Sequence, residues 1–138
     1  MRDLKEKTDE IYPIYINCWK KDTSYKILLD ICEQLDYKWT HNKRTDELIK
    51  VVSEIVNKKA VVIVLDEVDR VKELDILYTF SEDFLKKTII MIANDPEWIV
   101  HLDERIKSRL NVEVLKFNRY KYSEIFDILK YRVDYAFS

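Results

Sequence analysis

The chain has 138 residues, 47% hydrophobic and 36% charged, with 24 basic against 26 acidic side chains and a net charge of −2. That length buries roughly 68–70% of the unfolded surface, enough for one globular domain with its own core and for no more than one. The composition excludes a disordered tail, and the near-balance of charge excludes an overall electrostatic pull toward nucleic-acid phosphate.

There is no glycine, where an average domain has about 7%. Phosphate-cradling loops of the GxxxxGK(S/T) kind need backbone conformations that a Cβ forbids, so the chain contains no P-loop of its own. Cys18 and Cys32 stand singly in apolar surroundings without metal-ligand spacing, which makes them buried free thiols. The longest apolar runs, AVVIVL and TIIMIA, fall far short of the about 20 residues of a membrane span. A reducing cytoplasm is the simplest location.

In chain order, Ile11 to Asn17 (IYPIYIN) reads as a strand, with Pro13 near its start, where a missing N–H matters least. Thr23 or Ser24 can cap a helix whose Leu28, Ile31, Cys32 and Leu35 share one face. After a polar loop, Thr45 is expected to cap a second helix with Leu48, Val51, Val52, Ile55 and Val56 inward. Ala60 to Leu65 and Thr88 to Ala93 are continuous apolar runs, the pattern of strands covered on both faces by helices. Between them Glu73 to Lys87 reads as helical, with a break near Ser81. Glu97 to Leu110 is helical with a break near Asp103, Val112 to Phe117 is a fourth strand, and Ser123 to Phe137 is a closing amphipathic helix. Alternating strands and helices predict an α/β fold with a parallel sheet and right-handed crossovers.

In such sheets ligands bind beyond the carboxyl ends of the strands. Asp66 and Glu67 follow one buried strand directly, and Asn94 and Asp95 follow another. For phosphoryl chemistry, an acid placed there can hold Mg²⁺ through water, the next carboxylate can orient the attacking water, and Asn94 can bond that water or a terminal phosphate. The plainer reading is that these acids cap the next helix or face solvent; the second polar strand end shifts the balance toward function. Asp69 and Arg70 read as a local ion pair. Arg105 and Arg109 form a basic cluster, either a solvated helix face or planar forks for a γ-phosphate, including one in a neighbouring subunit. Lys20 and Lys21 read only as solvated. The tyrosines and Trp19, Trp39 and Trp98 are assigned to core and helix-interface packing, and His41 and His101 to no metal or acid–base role.

Taken together these segments resemble the initiator clade of AAA+ ATPases, the family of origin recognition complex subunit one and cell-division-cycle protein six, particularly its archaeal members. YINCWKKDTSYKILLDICEQL is similar to the family's second strand and following helix, VVIVLDEVDR to its Walker B strand, and IIMIAND to its sensor-one strand. LDERIKSRL with the segment after it is similar to the arginine-finger region and the entry to the lid.

The resemblance implies a partial three-layer AAA+ core over residues 1–121, with strands two to five of the family, and the first lid helix over 122–138. It implies Asp66 for Mg²⁺ through water, Glu67 for activating water, Asn94 as the sensor-one asparagine, and Arg109, then Arg105, as the finger acting on a neighbour's ATP. ATP and Mg²⁺ are the implied cofactors. The implied partner is a P-loop-bearing protein or a full-length initiator; origin DNA is reached only indirectly and no membrane is involved.

The family's P-loop strand, most of its lid with the second sensor arginine, and its winged-helix domain have no counterpart in this sequence. In the family's strand order, 5-1-4-3-2, the P-loop strand is central. Its absence leaves a gap that the flanking strands close, that a partner segment fills, or that leaves the chain marginally stable. The functional expectation is a fragment or split form of a replication-initiator ATPase that uses ATP only with a partner's P-loop. Alternatives are a non-catalytic module docking on a full initiator, a remnant without activity, and membership of another AAA+ branch such as a clamp loader or transposition helper.

Overall fold

The structure is a computed structural model that describes residues 10–95 and 97–137. Three parallel strands form one sheet: β1 (Ile11–Asn17), β2 (Ala60–Asp66) and β3 (Lys87–Ile92), in the spatial order β1-β2-β3. Five α-helices accompany it: α1 (Ser24–Gln34), α2 (Thr45–Val56), α3 (Asp75–Asp83), α4 (Glu104–Leu110) and α5 (Tyr122–Ala136). Among the described residues no helix is long and apolar enough to cross a membrane.

Register explains where the core lies. Ile14 pairs with Ile63 and Ile63 with Ile89, while Ile16 pairs with Leu65 and Leu65 with Met91, so these side chains share one face. Both crossovers step the same way, and because parallel crossovers are right-handed as a rule, the intervening helices fall over that same face. Ile14, Ile16, Ile63 and Leu65 are at most 1% exposed and pack with Ile27, Leu28, Ile31, Leu48, Val52, Phe80 and Phe84 from α1, α2 and the α3 region. Val51, Ile55 and Leu35, expected inward, are only half-buried. The rings of Phe80 and Phe84 stack with centroids 5.0 Å apart.

The opposite face is not covered as the continuous apolar runs led us to expect. Tyr15, Ile90 and Ile92, on that face, are 42%, 46% and 47% exposed. The reason is topological, since a sheet whose crossovers all step in one direction collects its helices on one side. The expected fourth strand does not form either. Residues 112–120 are irregular, and Val114, Leu115 and Phe117 are exposed. A strand is stable only beside another, and among the described residues no strand pairs with Val112–Phe117. The outer edge of β3 is likewise unpaired among the described residues. The other sheet edge is covered at one point. The Gln34 side-chain amide accepts from the Tyr15 N–H (3.1 Å) and donates to the Tyr15 carbonyl (2.7 Å), satisfying the outward backbone of β1 at that residue.

Caps follow the sequence with one correction. Thr23 caps α1 by accepting from the Lys26 N–H. At α2 the cap is Arg44 and not Thr45, because Glu47 reaches back to accept the Arg44 N–H at 2.8 Å. Asp103 caps α4, which places the break where it was expected. Helix α3 ends at Asp83, short of Lys87, whose backbone already belongs to β3.

The loops leaving β1 and β2 are tied together by Asp22. Its carboxylate accepts from Lys26 Nζ at 2.7 Å and from Lys72 Nζ, and its carbonyl accepts the Lys72 N–H at 2.9 Å. The Lys26 hydrogen bond, then that of Lys72, holds the Asp22 carboxyl well below the usual carboxylate range. A carboxylate depressed in the folded state contributes stability above its unfolded value, and that contribution is lost as pH falls through its folded value. Asp22→Asn should therefore melt below the parent at pH 7, with the difference in thermal midpoint narrowing steadily below about pH 4; a constant difference across that range would contradict the assignment.

Candidate functional site

The carboxyl ends of β1, β2 and β3 open on one end of the sheet, and the polar residues found in the sequence gather there. Asp66 is the last residue of β2, and the ladder continues one step past it, since the Cys18 N–H donates to the Asp66 carbonyl at 2.8 Å. Glu67 follows in the left-handed region, φ 54° and ψ 44°, before a 3-10 turn over Val68–Arg70. Four described residues have positive φ: Asp36, Asn42, Glu67 and Asn111. Asn and Asp tolerate this region through their short polar side chains. Asp36 uses it to end α1, its N–H donating to the Glu33 carbonyl and that of Tyr37 to the Cys32 carbonyl. Glutamate has no such excuse. Glu67 is a strained residue at the mouth of the sheet, where strain is characteristic of function.

Asn94 stands two residues beyond β3 and is tied to the β2 end. Its N–H donates to Asp69 Oδ1 at 3.2 Å, and the Asp69 side chain is only 10% exposed. Glu67 and Asn94 thereby line one cleft of about 420 Å³ together with Asn17, Trp19, Lys20 and Arg70. Asp95 accepts the Glu97 N–H at 2.9 Å and serves the following turn. A depression of similar size between α1 and the loop after it is lined by Lys21, Asp30, Glu33, Asp36 and Lys38 and lies away from the strand ends.

Several of these residues were invisible to the sequence reading. The Tyr15 hydroxyl donates to Asp66 Oδ2 at 2.6 Å; that hydrogen bond, burial and the negative charge of Asp66 push the phenol above its ordinary range. Asp69 does pair with Arg70, at 3.8 Å, but its other oxygen is what holds Asn94. Arg70 lies over the Trp19 ring, 4.6 Å from its centroid, and Lys20 lines the cleft. Trp19 and Trp39, assigned to packing, are 61% and 80% exposed, whereas Trp98 packs against the core as expected. The only sequence signal for Tyr15 was its position two residues before a strand's polar end.

The arginines are elsewhere. Arg105 is held by Asp103 (Nε–Oδ1 3.1 Å, Nη2–Oδ2 3.3 Å), which pushes the guanidinium above its ordinary range. Arg109 Nε lies 3.1 Å from Glu82 Oε1 on α3. Both are exposed on α4, and neither lines the cleft. Cys18 and Cys32 are free and buried as expected, and burial pushes the Cys18 thiol up to about 12.

The donor chemistry favours one kind of ion. Asp66 and Glu67 offer hard oxygens with no ion pair among the described residues, where no group of three or more His, Cys, Asp or Glu is placed to hold a metal. One or two carboxylates suit Mg²⁺, which keeps its waters and takes phosphate oxygens as further ligands; they do not suit a closed structural metal centre. Replacing the strained residue separates stability from function. Glu67→Gly should raise the free energy of unfolding by about 0.5–1 kcal/mol, because glycine adopts positive φ freely. Denaturant titration checks this, and a destabilised variant would contradict it.

Residues 1–97 match the AAA domain family. ORC1-type DNA replication protein 1 of Sulfurisphaera tokodaii is 34% identical, covering 99% of this chain and 37% of that protein. The ORC1-type DNA replication protein of Thermoplasma volcanium is 33% identical, covering 99% and 37%. Among solved structures, the Aeropyrum pernix ORC1 protein in complex with DNA aligns with a TM-score of 0.81 at 24% identity, over 96% of this chain and 38% of that one. Cdc6p from Pyrobaculum aerophilum aligns with a TM-score of 0.78 at 20% identity, over 92% and 36%. The chain spans little more than a third of the length of the curated relatives it matches.

Proposed function

From the premise that this chain belongs to the AAA domain family, we propose that it forms the magnesium and water side of an ATP site acting in DNA replication initiation, with the phosphate-gripping loop contributed by a partner chain. The observation that carries this reading is the convergence of Glu67, just after β2, with Asn94, just after β3, in one cleft, with Asp66 next to Glu67 at the end of β2. ORC1-type relatives similar over nearly the whole chain supply the process.

Asp66 is assigned to hold Mg²⁺ through water, and the ion, when bound with ATP, would neutralise charge on the phosphates. Glu67 accepts a hydrogen bond from the attacking water and orients it. The Asn94 amide donates to that water or to a terminal phosphate oxygen, and its fixed link to Asp69 keeps it level with Glu67. The partner reads as one that adds a strand to the free edge of β3, since Ile90 and Ile92 beside that edge are half-exposed. Residues 1–121 then act as the core and α5, whose residues are all exposed, as the first helix of a lid. With a net charge of −2, contact with origin DNA is assigned to the partner.

The isolated chain should show no saturable ATP binding below the millimolar range. Co-expressed with an ORC1-type segment that ends just after its GxxxxGK(S/T) helix, it should gain micromolar affinity. Micromolar binding by the chain alone, read by the anisotropy of a fluorescent ATP analogue, would overturn the reading.

The exposed arginines favour a second reading, in which the chain docks on a full-length initiator and offers Arg109, or else Arg105, to its nucleotide. Both side chains stand clear of their own cleft. Arg109→Ala should then change the ATPase rate of an ORC1-type protein mixed with the chain by at least tenfold relative to the unaltered chain, an arginine finger contributing about 10³–10⁵ in rate; an unchanged rate would remove this reading.

A further inference from the structure

We propose that Tyr15 is a positioning residue for the Asp66 carboxylate, its hydroxyl fixing Oδ2 at 2.6 Å so that Oδ1 is presented to the water shell of a divalent cation. This rests on the assignment of Asp66 to Mg²⁺ made above. The two oxygens of Asp66 are in different situations: Oδ2 accepts the phenol, and Oδ1 has no hydrogen bond among the described residues. A short O–H···O⁻ bond is of the strong, charge-assisted kind.

Burial does not demand this bond. Tyr15 is 42% exposed and Asp66 only half-buried, so water would satisfy both groups if they were apart. A phenylalanine would serve strand β1 as well. What the hydroxyl adds is orientation of a carboxylate that otherwise turns freely about its last torsion.

Tyr15 is itself anchored. Its backbone N–H and carbonyl are both engaged by the Gln34 amide, and Gln34 Nε2 also donates to Asp30 Oδ2 at 3.0 Å. The register that sets Asn17 opposite Asp66 brings the phenol, two residues earlier, within reach of the β2 end. A line of hydrogen bonds thus runs from α1 through β1 to the carboxylate. Partners of this outer kind orient metal-binding carboxylates, and removing them weakens metal affinity about tenfold or more.

The test uses Mn²⁺ alone as probe and the full chain, followed by paramagnetic broadening of backbone amide resonances. In the parent chain the amides of residues 66–68 should broaden selectively, and in Asp66→Asn that selectivity should be lost. In Tyr15→Phe, the Mn²⁺ concentration that half-broadens them should rise about tenfold, with the thermal midpoint and the remaining amide positions unchanged. Equal broadening in the parent and Tyr15→Phe would overturn the role of Tyr15 while leaving the cation assignment standing. Absence of selective broadening in the parent, or its survival in Asp66→Asn, would remove the cation from Asp66 and the role of Tyr15 with it.

Discussion

A parallel strand reaches the next only by a crossover, and crossovers are right-handed. In this chain both step in the same direction, and most of what the molecule is follows from that. The helices gather on one face with the core. The three carboxyl ends open together, so the polar residues that follow β2 and β3 are neighbours whatever their separation in sequence. The second face is left with Tyr15, Ile90 and Ile92 half in water, and it is on this face that the phenol meets Asp66. The constraint that builds the core therefore also decides where chemistry can sit.

A chain without glycine has to make its sharp turns with residues that carry a Cβ. Three of the four left-handed positions fall to Asp or Asn, which bear it well. The fourth is Glu67, whose neighbours fasten the loop on both sides: Asp66 through Tyr15, and Asp69 through Asn94. Farther out, Asp22 with Lys26 and Lys72 joins the loop after β1 to the loop after β2. Single ion pairs at a surface contribute little, but a carboxylate that accepts from a lysine of α1 and from one in the loop after β2 fixes their spacing. Side-chain hydrogen bonds thus hold the loop after β2 on both sides of Glu67.

The parts of this arrangement readable in the sequence are those with a local cause. AVVIVL and TIIMI are strands because β-branched and apolar runs are strands, and α1 and α2 show their inward faces in their spacing. Asp66, Glu67 and Asn94 could be picked out because strand ends in parallel sheets are where ligands bind. What failed had a cause elsewhere in the fold. Val112–Phe117 has the composition of a strand but no neighbour to pair with among the described residues. The continuous apolar runs promised helices on both faces, a promise that depends on the direction of the crossovers and not on the runs. Tyr15 and Asp69 acquire partners 51 and 25 residues away, which no spacing rule on one strand discloses. Trp19 and Trp39 were assigned to packing by residue type, yet each falls in a loop that the core does not reach.

The two sheet edges are unlike. On the β1 side the Gln34 amide occupies the Tyr15 backbone, imitating a neighbouring strand with one side chain; on the β3 side the ladder stops among the described residues. A strand laid against β1 would have to displace the Gln34 amide at Tyr15 before it could pair there, whereas one laid against β3 meets no such side chain among the hydrogen bonds of the described residues. The small amide of Gln34 thus guards the middle of its edge as well as supporting the strand beside it.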